Sequence, residues 1–316
     1  MVIGARSPRS TAPKNTLLSA PMVSLLLFTV LPIVFMVLIA FTNFDADHQP
    51  PGSLFTWTGM TNVTDVFLGN AVKTRTFFGI FGWTMVWAVL ATFTNYIFGL
   101  LLAVVINNKL VKAKKTWRTL FIIPVAIPQF VSLLLISRAL EPSGAINVAL
   151  MELGWISAPI PWLSDTLLAK FMCIFVNLWA GFPYFMLLTL GTMTAISPDV
   201  YEAARIDGAN RAQVFRKITL PLVMYQTTPL MIMSFTHNIN NFGAIFFLTG
   251  GMPKVSDSTI TAAGGTDILV TWIYQLTVNL LKYNYAAVVA VLLFLVIAPF
   301  AILNFRRTKS YREGEL

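Results

Sequence analysis

Ser234, Thr236, His237, Asn238, Asn240 and Asn241 crowd the middle of a run that is otherwise apolar. Hydrogen-bonding groups at membrane depth are costly unless they face protein or water. On a helix, Ser234, His237 or Asn238, and Asn241 recur at three- and four-residue steps and share one face over about two turns. An earlier apolar run carries Asn177, Gly181 and Tyr184 on one face, with Gly181 permitting close approach and Pro183 placed to kink the helix. Amides donate and accept, and an aromatic face covers the apolar side of a pyranose ring, so these two stripes suit an uncharged, hydroxyl-rich solute such as a sugar. An ion path would use charges. The same Asn, Ser and Gly residues are also what membrane helices use to adhere to one another, and at this point both readings stand.

Catalytic and metal chemistry have little to work with. None of the 13 acidic residues lies centrally in an apolar run, and no Ser/His/Asp or paired-carboxylate arrangement falls at that depth. Of the 2 histidines, His237 reads as a neutral hydrogen-bonding residue and His48 lies in a distant loop, so no metal site is expected. The single cysteine, Cys173, sits inside an apolar stretch and reads as packing. A phosphate-binding Gly-x-x-x-x-Gly-Lys-Ser/Thr is absent, so this chain is not expected to hydrolyse ATP.

The elements that must position the two stripes are membrane helices. The 316 residues are 56% hydrophobic and 11% charged, against a soluble norm of about half and a quarter. Runs at 18–42, 77–106, 119–139, 166–192, 221–248 and 285–305 are long enough to cross a bilayer. The expected fold is an all-α integral membrane protein with six transmembrane helices, a span domain over 18–305 and short tails at 1–17 and 306–316. The first run is span-length rather than a short cleavable leader.

The formal charge of +9 is a topology signal, not a nucleic-acid surface. Basic residues gather at Arg6, Arg9 and Lys14, at Lys109, Lys112, Lys114, Lys115 and Arg118, at Arg205, Arg211, Arg216 and Lys217, and at Arg306, Arg307, Lys309 and Arg312. The positive-inside rule then puts both termini and the second and fourth loops in the cytoplasm. The apolar segment 266–281 is too short to span and reads as an outer, interfacial helix, and the eight tryptophans read mostly as interfacial anchors.

The cytoplasmic loop 193–220 has its own grammar. Ser197 can cap a helix that Pro198 opens, and Asp199 and Glu202 complement its dipole. Gly208 can take the left-handed conformation that stops it, Asn210 can cap a second helix, and Pro221 resets the backbone. Tyr201, Ala204 and Ala209 on the first helix, and Val214, Phe215 and Ile218 on the second, offer ridges for docking into a partner's groove. A helix lying on the membrane surface is the alternative these residues leave open.

Glu202-Ala203-Ala204, with Gly208 four residues on and Ile218-x-Leu220-Pro221 closing the loop, resembles the EAA loop of ABC importer permeases. The likeness extends through Ile123-Pro124-x-x-Ile127-Pro128, Trp179-x-Gly181-Phe182-Pro183-Tyr184 and Leu248-Thr249-Gly250-Gly251-Met252-Pro253 to the maltose/maltodextrin-type sugar permeases, their larger subunit above all. It implies cytoplasmic coupling helices in which Tyr201, Glu202, Ala203, Ala204, Asp207, Gly208 and Ala209 engage an ATPase. Implied partners are a second permease subunit, a homodimeric ABC ATPase that carries ATP and Mg, an extracytoplasmic sugar-binding protein, and the lipid of a bacterial or archaeal cytoplasmic membrane.

In the maltose-type subunit, positions matching Asn177, Gly181, Tyr184, Asn238 and Asn241 line the sugar site, and all five keep the expected residue type here. Val125, Gln129, His237 and Ala180 stand at further matching positions but differ in character, which leaves the identity of the sugar open. Two other departures are the lack of a bulky outer domain and the Tyr283-Asn284-Tyr285-Ala286 sequence before the final span. A secondary solute transporter is the competing expectation, although that class normally carries an intramembrane charge and an internal repeat.

Overall fold

The computed structural model describes residues 14–69, 71–108, 110–255 and 258–306. Arg6, Arg9, Lys109, Arg307, Lys309 and Arg312 of the charge argument lie outside the described residues. Among the described residues, five helices are long and apolar enough to cross a membrane: α1 Leu18–Ile39, α2 Lys73–Asn107, α5 Thr166–Ala195, α7 Arg211–Ile239 and α10 Tyr283–Leu303. A bent pair, α3 Lys114–Ala126 and α4 Gln129–Ala139, makes a sixth span when its two helices are counted as one. Between α5 and α7 lies the short α6, Pro198–Ile206, and beyond α7 come α8, Phe242–Phe246, and α9, Leu269–Val278. Among the described residues there is no β-strand, only the isolated bridges Thr42–Trp57 and Lys254–Gly264.

Two of the expected spans are not single helices. The run over 119–139 bends by 85° between α3 and α4. Ile127 is extended there, at φ −95° and ψ 133°, because the ring of Pro128 disfavours a helical conformation at the residue before it. The run over 221–248 stops at Ile239, and after Asn240 the side chain of Asn241 accepts the N–H of Ala244 at 3.2 Å to start α8. An amide that caps a new helix ends the old one.

The most extensive helix pair is α2 against α5. On α2 a stripe of small or polar residues, Thr84, Ala88, Ala91, Thr92, Asn95 and Ala103, is buried at helical spacing. Gly99 belongs to it, and a Cβ there would sit 2.8 Å from the Met186 amide nitrogen and 2.9 Å from the Phe182 carbonyl of α5. Close approach of two membrane helices depends on such small residues. A Gly99→Val substitution must push the α5 backbone away, at a cost of about 1–3 kcal/mol for overpacking. The expected result is a thermal midpoint in detergent lowered by several degrees, with Gly191→Ala, where nothing lies within 4 Å of the added carbon, as the unaffected comparison.

The segment 266–281 is more tightly packed than an interfacial helix implies. In α9, Leu269, Thr271, Trp272 and Leu276 are buried, and Trp272 Nε1 donates to the Thr261 carbonyl at 2.8 Å. The Leu269 amide donates to Thr84 Oγ1 of α2 at 3.0 Å, so the segment is packed into the bundle. Asn62 Nδ2 donates to the carbonyls of Ala40 and Thr42, and Asn284 Nδ2 donates to Asn62 Oδ1 at 3.1 Å. The asparagine in Tyr283-Asn284-Tyr285-Ala286 thereby joins the start of α10 to the segment after α1.

Asp267, in the loop before α9, is 1% exposed. Its Oδ2 accepts the Gly264 N–H at 2.7 Å, while Oδ1 is buried without a partner. Burial pushes its carboxyl from 3.8 up to about 6. The folded chain therefore keeps this proton in the window from about pH 4 to 6, where the unfolded chain has lost it, and stability falls as pH rises through that window. Asp267→Asn is expected to remove the fall, so that its thermal midpoint gains on the parent's more at pH 7 than at pH 4.

Candidate functional site

The break in the third crossing and the end of α7 open onto the same space. A cavity of about 370 Å³ is lined from α2 by Asn95 and from the α3/α4 joint by Pro124, Val125, Ile127, Pro128 and Gln129. Asn177, Ala180, Gly181, Tyr184 and Phe185 of α5 form another wall, and Ser234, His237, Asn238 and Asn241 complete it. All nine residues singled out in the sequence for solute binding, Asn177, Gly181, Tyr184, His237, Asn238, Asn241, Gln129, Val125 and Ala180, are brought together here. The size lies within the usual range of small-molecule pockets, about 300–1,000 Å³.

The lining holds no Asp, Glu, Lys or Arg. Its polar groups are amides, one hydroxyl, one phenol and one imidazole. Some are engaged in structure: Asn238 Nδ2 donates to Thr92 Oγ1 at 3.0 Å, the Asn238 carbonyl accepts from Trp87 Nε1 at 3.0 Å, and Asn241 Oδ1 caps α8. Others are not, since Asn95 Oδ1 and Asn177 Nδ2 are buried with no protein partner. Tyr184 is 53% exposed and stands against the Phe185 ring at 5.3 Å between centroids.

Asn95, Ser234, Phe185 and the prolines of the joint were not among the nine. Ser234 was legible as part of the α7 stripe. The available signal for Asn95 was the small-residue spacing along α2, which reads as helix adhesion until the partner helix is placed.

The loop 193–220 follows its sequence grammar locally except at Pro221, which does not reset the backbone: the second helix runs unbroken through it as α7, because a proline in the first turns of a helix is tolerated. Ser197 Oγ accepts the Asp199 N–H at 3.3 Å, Gly208 has φ +76°, and Asn210 and Gln213 form a reciprocal capping box at 2.8 and 2.9 Å. The expected ridges, however, turn inward. Ala204 is 7% exposed, and Tyr201, Ala209, Val214 and Phe215 line a cavity of about 340 Å³ beneath the loop, with Val104 and Asn107 of α2 and Met193 of α5. Phe215 packs against the core that α2 and α5 share, and within the loop Thr219 Oγ1 donates to Tyr201 Oη at 3.4 Å. The outward face carries Val200, Glu202, Ala203, Ile206 and Asp207, with Ile206 86% exposed.

Comparison with known proteins adds four findings. Residues 95–308 match the family described as binding-protein-dependent transport system inner membrane component. The chain is 39% identical over 297 residues to the galactooligosaccharides transport system permease protein GanP of Bacillus subtilis (strain 168), covering 93% of this chain and 70% of that one. It is 34% identical over 290 residues to the maltodextrin transport system permease protein MalC of Streptococcus pneumoniae, covering 89% and 66%. In fold it resembles a chain of the crystal structure of a bacterial alginate ABC transporter in complex with an alginate pentasaccharide-bound periplasmic protein. That match has a TM-score of 0.68 and 20% identity, over 92% of this chain and 93% of that one.

Proposed function

Because the chain belongs to the family of binding-protein-dependent transport system inner membrane components, we propose that it carries an oligosaccharide of the maltodextrin or galactooligosaccharide class through the cavity between α2, α5, α7 and the α3/α4 joint. The observation that supports this most directly is the lining, which is rich in amides and holds no carboxylate, lysine or arginine. A sugar hydroxyl donates and accepts at one atom and so pairs with either end of an amide. The named solutes of GanP and MalC point the same way.

In this reading a soluble extracytoplasmic binding protein delivers the sugar and a second permease subunit supplies the other half of the pathway. Closure of a separate homodimeric ATPase, which holds ATP and Mg, moves the loop 193–220 and exposes the cavity to alternate sides. Both termini lie in the cytoplasm. Glu202, Ala203, Asp207 and Gly208 stand on or beside the loop's outward face, while Tyr201, Ala204 and Ala209 transmit its motion to α2 and α5 through the contacts beneath it. A secondary transporter would need its own energy-coupling ion site, and the cavity lining carries no charge to form one.

The test is twofold. Tagged chain purified from native membranes in mild detergent should bring down a second permease and an ABC ATPase. Cells lacking the chain should lose accumulation of labelled maltodextrins or galactooligosaccharides and regain it on complementation. Recovery of the chain alone, with sugar uptake untouched by its deletion, would refute the reading.

A further inference from the structure

The cavity beneath the loop 193–220 differs from the first in carrying charge. We propose that it binds a phosphate group borne on an apolar body, the headgroup of an acidic phospholipid, held between the loop and the end of α2.

Three observations carry it. Of the residues lining this space of about 340 Å³, Arg205 and Arg211 are cationic and none is Asp or Glu. Among the described residues neither guanidinium makes an ion pair, and the acids of the loop, Asp199, Glu202 and Asp207, are not part of the lining. Basic residues that only mark topology need no common cavity, and Arg216 and Lys217 of the same loop are exposed and outside it.

Second, Arg211 is the first residue of α7, where the helix dipole is positive and disfavours a cation, and the first turn holds no acid to offset it. Arg205 brings a further positive charge to the same cavity. A phosphate removes the conflict, because its oxygens pair with guanidinium groups two at a time. Donors continue at the end of α2. Asn108 Oδ1 accepts the Leu110 N–H at 3.1 Å, which leaves Nδ2 to donate, and Lys114 Nζ lies 3.0 Å from the carbonyl of the lining residue Asn107.

Third, the remainder of the lining is largely apolar, with Val104 of α2, Met193 of α5, Leu110, Val214 and Phe215. On either side of Val104, Leu101 and Val105 are each 56% exposed. Free phosphate gains nothing from such a surface, whereas the glycerol and first methylenes of a lipid do. Basic pockets at the ends of membrane helices take lipid headgroups on this principle.

The experiment is native mass spectrometry of the tagged chain, with the partners it retains, released from nanodiscs of phosphatidylglycerol and phosphatidylcholine in equal parts. The unaltered chain is expected to keep phosphatidylglycerol in excess by about twentyfold, from two basic residues at about fivefold each. Arg205→Gln and Arg211→Gln should each cut that excess by about fivefold. Leu110→Asp puts an acid into the lining at a residue 77% exposed; it should cut the excess as well, and it answers the question if the arginine variants disturb the loop. Lys112→Gln, exposed and outside the lining, should leave the excess unchanged. Equal retention of the two lipids by the unaltered chain would overturn the proposal, and so would a loss in Lys112→Gln matching that of the arginine variants, since that reports surface charge in general. A sample in phosphatidylcholine alone with inorganic phosphate separates the sources of the group: a thermal midpoint raised as much by phosphate as by phosphatidylglycerol would overturn the lipid and give the site to a soluble phosphate. None of these outcomes depends on which solute passes between α2, α5 and α7.

Discussion

Gly208→Val will stop uptake by this transporter, by roughly a hundredfold or more, if the bend between α6 and α7 is what an ATPase moves; a few kcal/mol at the bend is enough. Gly208 has φ +76°, a conformation a β-branched residue scarcely adopts. Valine would straighten or displace the turn and carry Glu202, Ala203 and Ile206 out of place. Ile206→Asp separates this from damage to the chain. Ile206 is 86% exposed, so the change costs the isolated chain little, yet it places a charge on the outward apolar position. The expected outcome is loss of ATPase from the purified complex with the chain's own thermal midpoint unchanged. Retained ATPase and retained uptake in both variants would instead favour a loop that lies on the membrane.

Ala180→Trp is the second large effect. Ala180 lines the cavity between Asn177 and Gly181 on α5, and an indole there takes up a substantial part of about 370 Å³. The substitution adds bulk to open space rather than to a packed interface, so the chain is expected to reach the membrane in normal amount. Uptake of labelled oligosaccharide is expected to fall by about a hundredfold, equivalent to about 2.8 kcal/mol of lost binding. Ala180→Ser, which keeps the volume, should leave most of it. Normal uptake by the tryptophan variant would place the sugar path elsewhere.

The parts of this molecule governed by neighbouring residues were legible in the sequence. Ser197, Pro198, Gly208 and Asn210 write the start and stop of α6 and the start of α7, and the structure uses each as written, although the second helix is not short and runs on into the span. The polar stripes on α5 and α7 were legible too, because their spacing fixes a shared face whatever they meet. What was hidden depended on partners distant in sequence. Tyr201, Val214 and Phe215 make an amphipathic pattern that docks equally well on a foreign groove or on the chain's own α2 and α5, and nothing in the pattern chooses. Asn95 among alanines and threonines reads as helix adhesion until Gly181 is seen opposite it. The 85° joint was present as Ile127-Pro128, but an apolar run that meets the length of a bilayer hides a proline break, since length and hydropathy are indifferent to it.

That joint bears on how such a transporter can diverge. In an unbroken helix, one residue gained or lost turns everything beyond it by about 100°, and every side chain facing a ligand leaves at once. Here Val125 and Gln129 stand on opposite sides of an extended residue. Change of length or sequence in α3 is absorbed at Ile127 without turning α4, and the reverse holds equally. The two halves of this wall are free to drift separately, so a lineage can retune the solute it accepts by small steps at one segment while the other keeps its hold.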